Sequence, residues 1–206
     1  MALSKRDSTK FLIGLSLRLA KPGSGTSREF LSRRTAMKTW PDLTPALGEI
    51  PWAVVGGVAT RAYMPERTTA DLDVFIEASH AGEVHRRLAG AGFGFKQELS
   101  IGGSAWNSPE GIEVDLLEAR EEWQAEAIRN AAYNRDAQGL PILPFESFIL
   151  LKFRSGRVQD LADISRMLGL ADEGNIRKAR AFFSRMEPSS LEDFDNLLEL
   201  GRLEIK

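Results

Sequence analysis

Val54-Val55-Gly56-Gly57-Val58-Ala59-Thr60-Arg61-Ala62-Tyr63, followed by Arg67-Thr68-Thr69-Ala70-Asp71-Leu72-Asp73-Val74-Phe75-Ile76, sets the architecture of this chain. It reads as a strand, a glycine turn, a short helix, a loop and a second strand that opens with two carboxylates. Side chains two apart on a strand share a face, so Asp71 and Asp73 project together, about 6–7 Å apart along the strand. Leu72, Val74 and Ile76 then face a core. Two acidic groups beside a glycine turn are suited to a divalent cation and a phosphate.

Working outward, Trp52 to Val55 is a buried strand and Val58 to Met64 a helical turn or two. Ser79 is expected to cap a helix through Ala89 that turns Val84 and Leu88 inward. Glycines at 90, 92 and 94 lead into a strand from Phe93 to Leu99, and Ala105-Trp106 reads as a strand end. Ile112 to Leu117 alternates: Ile112, Val114 and Leu116 point one way, and Glu113, Asp115 and Leu117 the other. This is a strand with a third carboxylate. Glu121 to Asn130 reads as a helix packing through Trp123, Ala127 and Ile128.

Pro144 opens a helix that carries Lys152. Ser155-Gly156-Arg157 interrupts it, and Val158 to Leu168 resumes with Leu161, Ile164, Met167 and Leu168 buried. Asp160 and Asp163 lie one helical turn apart. Amphipathic helices follow at 176–186 and 191–200. Before the core, Ser4 to Ala20 reads as a helix with Phe11, Leu12, Leu15 and Leu19 at helical spacing. Pro22-Gly23-Ser24-Gly25 reads as a joint, and 27–37 as a second, basic helix. The expected organisation is a basic helical appendage over 1–48, a core over 49–140 and a helical C-terminal part over 141–206.

Composition narrows the chemistry. The 206 residues include no cysteine and only two histidines, which excludes disulfides, thiolate metal sites and a histidine-rich metal centre. Net charge is −2, yet residues 1–50 hold nine Lys/Arg against four Asp/Glu. A basic arm on an acidic body suits contact with nucleic acid, or else is a solvated helix face. The apolar run from Phe11 to Leu17 is short, broken by Gly14 and Ser16, and followed by Lys21-Pro22 rather than a small-residue cleavage site. The expectation is a cytoplasmic protein with no membrane span. His80 and His85 read as surface helix positions, and the four tryptophans as core.

Asp71, Asp73 and Asp115 converge if their strands are neighbours. Hard cations prefer such oxygens, and Mg²⁺ shares its shell with substrate phosphates. Two such ions can activate an attacking hydroxyl and stabilise a leaving pyrophosphate. Gly56-Gly57 offers backbone N–H groups to a phosphate. Lys152, with Arg154 or Arg157, is suited to the remaining phosphate charge.

At these residues the chain resembles the polymerase-β-like nucleotidyltransferases. The resemblance covers roughly residues 50–170. It rests on Gly56-Gly57, Arg67-x-Thr69-x-Asp71-Leu72-Asp73 and Glu113-Val114-Asp115. Leu150-Leu151-Lys152-x4-Arg157-x2-Asp160-Leu161-Ala162-Asp163 resembles the C-terminal motif of the AbiEii and MenT-type branch, whose members are commonly toxins of bacterial toxin–antitoxin or phage-defence pairs. The resemblance implies an α/β (α+β) fold, a small mixed sheet flanked by helices with a helical C-terminal part. It implies NMP transfer from an NTP to an acceptor hydroxyl, on an RNA or tRNA end or a protein, with Mg²⁺ (two ions, or Mn²⁺) as cofactor and a cognate antitoxin as partner. In that reading Asp71 and Asp73 bind the metals, and Asp115 completes the metal or base site. Lys152 meets nucleotide phosphates, and Asp160 positions Lys152 or neighbouring basic groups. Arg67, Thr69, Arg157 and Asp163 complete the nucleotide-binding set. Many members carry Gly-Ser where this chain has Gly56-Gly57, and Thr60 is the candidate replacement for the lost hydroxyl. Glu113 shares the face of Asp115, which is preferred for its apolar flanks. The rival readings are an antibiotic- or small-molecule-modifying enzyme with an acidic acceptor pocket, and a nucleotide-binding module without turnover.

Overall fold

The computed structural model describes residues 4–22, 39–65 and 69–205. Along the chain these form α1 (Lys5–Leu19), α2 (Thr44–Leu47), β1 (Trp52–Val54), α3 (Gly56–Ala59), β2 (Leu72–Glu77), α4 (Ala81–Gly90), β3 (Gly94–Glu98), β4 (Ser104–Asn107), β5 (Glu113–Ala119), α5 (Glu122–Asn130), α6 (Phe145–Ser155), α7 (Val158–Leu170), α8 (Glu173–Met186) and α9 (Leu191–Ile205). The expected basic helix at 27–37, the glycines of the joint at 23–25 and Arg67 lie outside the described residues. The fold is α/β, a mixed sheet with flanking helices and a helical C-terminal part. Contacts divide it into two compact units, residues 34–144 and residues 1–33 with 145–206.

The first unit holds a five-stranded sheet in the order β1-β2-β5-β4-β3. β1 runs antiparallel to β2, and β2 parallel to β5, with Leu72 opposite Val114 and Asp73 opposite Asp115. The parallel pair requires a crossover, supplied by α4 and the β3–β4 hairpin. Period-two alternation puts Leu72, Val74, Val114 and Leu116 on one face, all without solvent exposure. The same alternation turns Asp73 and Asp115 to the other face. β3 is an edge strand, exposed along its length. Val54 also bridges Ile142, with the Val54 amide donating to the Pro141 carbonyl at 2.7 Å.

Local readings hold with instructive exceptions. Ser4 caps α1, its hydroxyl accepting from the Asp7 amide at 3.1 Å. Ser79 does not cap α4. A 3₁₀ turn, Ala78–His80, precedes that helix, which starts at Ala81 without a side-chain cap. His85 is half-buried, not a surface position, 3.0 Å from the Ser104 hydroxyl and packed on Trp106. All four tryptophans are buried.

In the second unit, α1 buries Thr9 and Ile13 and packs with α9, while Phe11, Leu15 and Leu19 stay exposed. A helical period identifies a stripe but not which stripe meets a partner. α7 and α9 approach through glycines: a Cβ on Gly201 would lie 1.9 Å from the Ser165 carbonyl oxygen, and one on Gly169 2.4 Å from that of Gly201. Phe153, Phe183 and Phe194 form an aromatic chain with ring centroids 4.9 and 5.3 Å apart. No helix of the described residues is long and apolar enough to cross a membrane.

Candidate metal and nucleotide site

β2 and β5 are adjacent and parallel, and this placement brings the three carboxylates together. One oxygen from each of Asp71, Asp73 and Asp115 lies within 4.8 Å of the others. Asp71 stands just ahead of β2, where its Oδ1 accepts from the Thr69 hydroxyl at 2.7 Å. Asp73 and Asp115 sit opposite one another in register. The β1 end is tied to β2 by the Val55 amide, which donates to the Asp73 carbonyl at 2.9 Å. Val55 is extended, and Gly56 turns at φ +60° into α3. The side chain of Asp73 occupies the space a Cβ on Gly56 would need.

No family model matches the chain, and no curated protein sequence matches it. Among solved structures, the chain is similar to the antibiotic-resistance factor ANT(2'')-Ia, at 18% identity over 78% of this chain and 87% of that one, with a TM-score of 0.45. A Thermotoga maritima protein assigned as a nucleotidyltransferase matches at 15% identity over 67% of this chain and 92% of its own, with a TM-score of 0.39. Cid1 poly(U) polymerase matches at 15% identity over 74% of this chain and 47% of its own, with a TM-score of 0.30. Similarity of this degree leaves the function to be read from this chain's own residues.

The electrostatics of the cluster fit a cation. Burial raises the Asp115 carboxyl above its ordinary range, the charges of Asp71 and Glu113 add to the rise, and Lys96 opposes it. Asp115 Oδ1 is buried without a hydrogen-bond partner. Gathering three carboxylates is unfavourable, and the orphaned buried oxygen of Asp115 adds to that cost. A hard divalent cation relieves both. Glu113, the other candidate on that face, pairs with Lys96 at 2.7 Å and stays outside the cluster.

The remaining expected site residues are placed as follows. Gly57 and Thr60 are buried in the turn after β1, and the Thr60 hydroxyl donates to the Gly57 carbonyl at 2.7 Å. That proton is spent inside the turn. Lys152, on α6, is 3% exposed. Its ammonium donates to Asp160 Oδ1 at 2.7 Å and Asp163 Oδ2 at 2.8 Å, and lies 5.2 Å from the centroid of the Phe148 ring. Both aspartates are fully buried on α7. Asp160 also accepts from Ser155 and, at 2.6 Å, from Nε of the exposed Arg157. Burial alone would raise the Asp160 carboxyl. Lys152, Ser155 and Arg157 together hold it below the ordinary carboxylate range. As placed, the Lys152 ammonium is committed to an ion-pair centre joining α6 to α7, and contact with a phosphate would require that centre to open.

Sequence reasoning missed the steric role of Gly56. It also missed Lys96, which opposes the charge at Asp115 from β3. Its signal is a lysine on an exposed edge strand, which a sequence does not distinguish from an ordinary edge charge.

Proposed function

We propose that this chain is a metal-dependent nucleotidyltransferase that moves an NMP from an NTP to an acceptor hydroxyl. The carrying observation is the convergence of Asp71, Asp73 and Asp115 on one point beside the Gly56 turn. Asp71, Asp73 and Asp115 would hold Mg²⁺, which neutralises triphosphate charge and acidifies the acceptor hydroxyl when bound. The acceptor oxygen forms a bond to the α-phosphorus, the α–β bridging P–O bond breaks, and pyrophosphate leaves. The acceptor proton would pass to solvent, with Asp115, whose Oδ1 has no hydrogen-bond partner, serving as a ligand to the cation. The Gly56 turn sets Asp73 directly against the backbone at the start of α3, so any phosphate held there would lie beside that carboxylate and its cation. The rest of the catalytic contribution is positioning.

The Lys152–Asp160–Asp163 pattern supports the finer reading of a toxin that modifies an RNA end or a protein hydroxyl under the control of an antitoxin. Induced expression of the wild type should then slow growth while Asp73→Ala should not. Equal growth of the two removes the toxin reading and leaves the chemistry standing.

One observation favours a small cationic acceptor instead. A cavity of about 560 Å³ in the sheet unit is walled by Trp40, Phe93 and several prolines, and among the described residues its charged liners, Asp42 and Glu110, are both acidic. Label transfer to an aminoglycoside, and not to RNA, would select that reading. The class itself is tested first by metal binding. Mn²⁺ titration should show binding to the wild type that is lost in Asp71→Asn/Asp73→Asn, and equal binding by both would remove the site.

A further inference from the structure

The strand register makes Glu113 the natural fourth member of the carboxylate cluster, yet its carboxylate lies outside it. Leu72 pairs with Val114, and Asp73 with Asp115. Immediately before Leu72 and Val114 stand Asp71 and Glu113. Neighbouring strands are about 4.8 Å apart. Four acidic residues therefore begin from the corners of a square on one face of the sheet, Asp71 beside Glu113 and Asp73 beside Asp115. Only Asp71, Asp73 and Asp115 converge.

Lys96 accounts for the exception. It lies on β3, the sheet edge two strands away from β5. The β3–β4 register shifts between Phe95 and Gln97, which makes Lys96 the extra residue of a bulge. Phe95 packs edge-to-face on Trp106 at the apolar face, with ring centroids 5.4 Å apart. Lys96 turns to the opposite face and reaches back over β4. There Ala105 stands opposite Asp115, and Asn107 opposite Glu113. The short Ala105 side chain leaves the path clear. Lys96 Nζ donates to Glu113 Oε1 at 2.7 Å. This draws the carboxylate toward the sheet edge and away from Asp71. Among the described residues of the five strands, Lys96 is the only lysine or arginine, so no other strand residue can take over the restraint.

We propose that Lys96 is a positioning residue that withholds Glu113 from the cation site, leaving three carboxylate ligands and an open position for substrate oxygens. The assignment rests on the cation site proposed above. Mg²⁺ demands near-octahedral coordination and shares its shell with substrate phosphates. A fourth carboxylate would fill a position that a phosphate or the acceptor hydroxyl needs. It would also cancel part of the charge that acidifies that hydroxyl. The restraint is a half-exposed ion pair, which is weak, so its removal should have a modest and measurable effect.

The test is Mn²⁺ titration of the full chain, with affinity read by electron paramagnetic resonance and the number of waters on the bound ion by water-proton relaxation. Lys96→Met should bind Mn²⁺ up to about fivefold more tightly than the wild type, the limit set by an exposed ion pair. It should also leave fewer waters on the ion. Lys96→Gln should do the same, which guards against a folding defect in either variant alone. Lys96→Arg, which can still hold Glu113, should match the wild type in both readouts. In a Glu113→Gln background, both effects of Lys96→Met should disappear. Simple removal of a positive charge would instead tighten binding equally in both backgrounds and leave the waters unchanged, and that result overturns the proposal. So does unchanged binding in Lys96→Met and Lys96→Gln when the wild type itself binds Mn²⁺. A wild type that binds no Mn²⁺ overturns the cation site itself, and this assignment with it.

Discussion

A Cβ placed on Gly56 would lie 1.7 Å from Oδ2 of Asp73 and 2.4 Å from its Cγ. The glycine is therefore required twice, by its φ of +60° and by the carboxylate resting against it. Turn and carboxylate form one steric unit, and the position of Asp73 is set from β1 as well as from its own strand.

Gly56→Ala should cost about 1–3 kcal/mol from backbone strain and displace Asp73. Thermal melting should show the loss, and Mg²⁺ affinity should fall with it. Asp73→Ala in the same chain should restore part of the melting temperature and none of the metal binding. A Gly56→Ala variant with wild-type metal affinity would separate the two residues.

Asp115→Asn should stabilise the metal-free protein at neutral pH while abolishing turnover. The Asp115 carboxyl is raised in the fold by burial, then by Asp71 and Glu113. The folded state thus favours the protonated form. Its advantage is complete below the ordinary carboxylate range and is lost as pH rises from there through the raised value. Asparagine has no charge to lose, so its melting temperature should be flatter across that window. Mg²⁺ should stabilise the wild type more than the variant. Melting curves from acid to neutral pH, with and without Mg²⁺, check both statements.

The Lys152 centre should be a stability determinant of the helical unit. Removing one member of a buried ion pair costs about 3–5 kcal/mol, because the partner charge is stranded. Lys152→Met leaves Asp160 and Asp163 facing each other in the core and should fall at the upper end. Asp160→Asn, with Asp163 still pairing Lys152, should fall at the lower end. The depressed Asp160 carboxyl contributes stability above its unfolded value, about 3.9, which is lost as pH falls through the folded value. Acid unfolding should therefore begin at higher pH in Asp160→Asn than in wild type, measured by far-UV circular dichroism.

Gly201→Ala should destabilise the α7–α9 contact by about 1–3 kcal/mol, the usual range for overpacking. The added methyl would meet the Ser165 carbonyl oxygen, a backbone atom that cannot rotate away. Denaturant unfolding checks this, and Gly14→Ala, where nothing lies within 4 Å of the added methyl, is the control.

The sheet was legible where alternation and chemistry agreed. Leu72-Asp73-Val74 and Val114-Asp115-Leu116 each announce a strand with one acidic face, and their pairing then has only to be parallel and in register. Less could be read where a local pattern needs a tertiary partner. The Phe11-Leu15-Leu19 stripe has helical spacing, yet α1 turns Thr9 and Ile13 inward. The packing of α1 with α9 joins residues far apart in the chain, and no local signal carries it. Lys152 could equally have been a phosphate ligand, because a lysine on an apolar helix reads the same whether its amine snorkels or is buried. Its depth depends on the second helix, which supplies Asp160 and Asp163. Gly56 announced a turn, but only the fold brings Asp73 against it.

The central claim, that Asp71, Asp73 and Asp115 form a nucleotidyl-transfer site, is met most directly by transfer of label from α-phosphate-labelled NTPs with Mg²⁺ and candidate acceptors. Wild-type protein should transfer label and release pyrophosphate, and Asp71→Ala/Asp73→Ala should lose at least about 10²-fold. Undiminished transfer by that double variant would contradict the account.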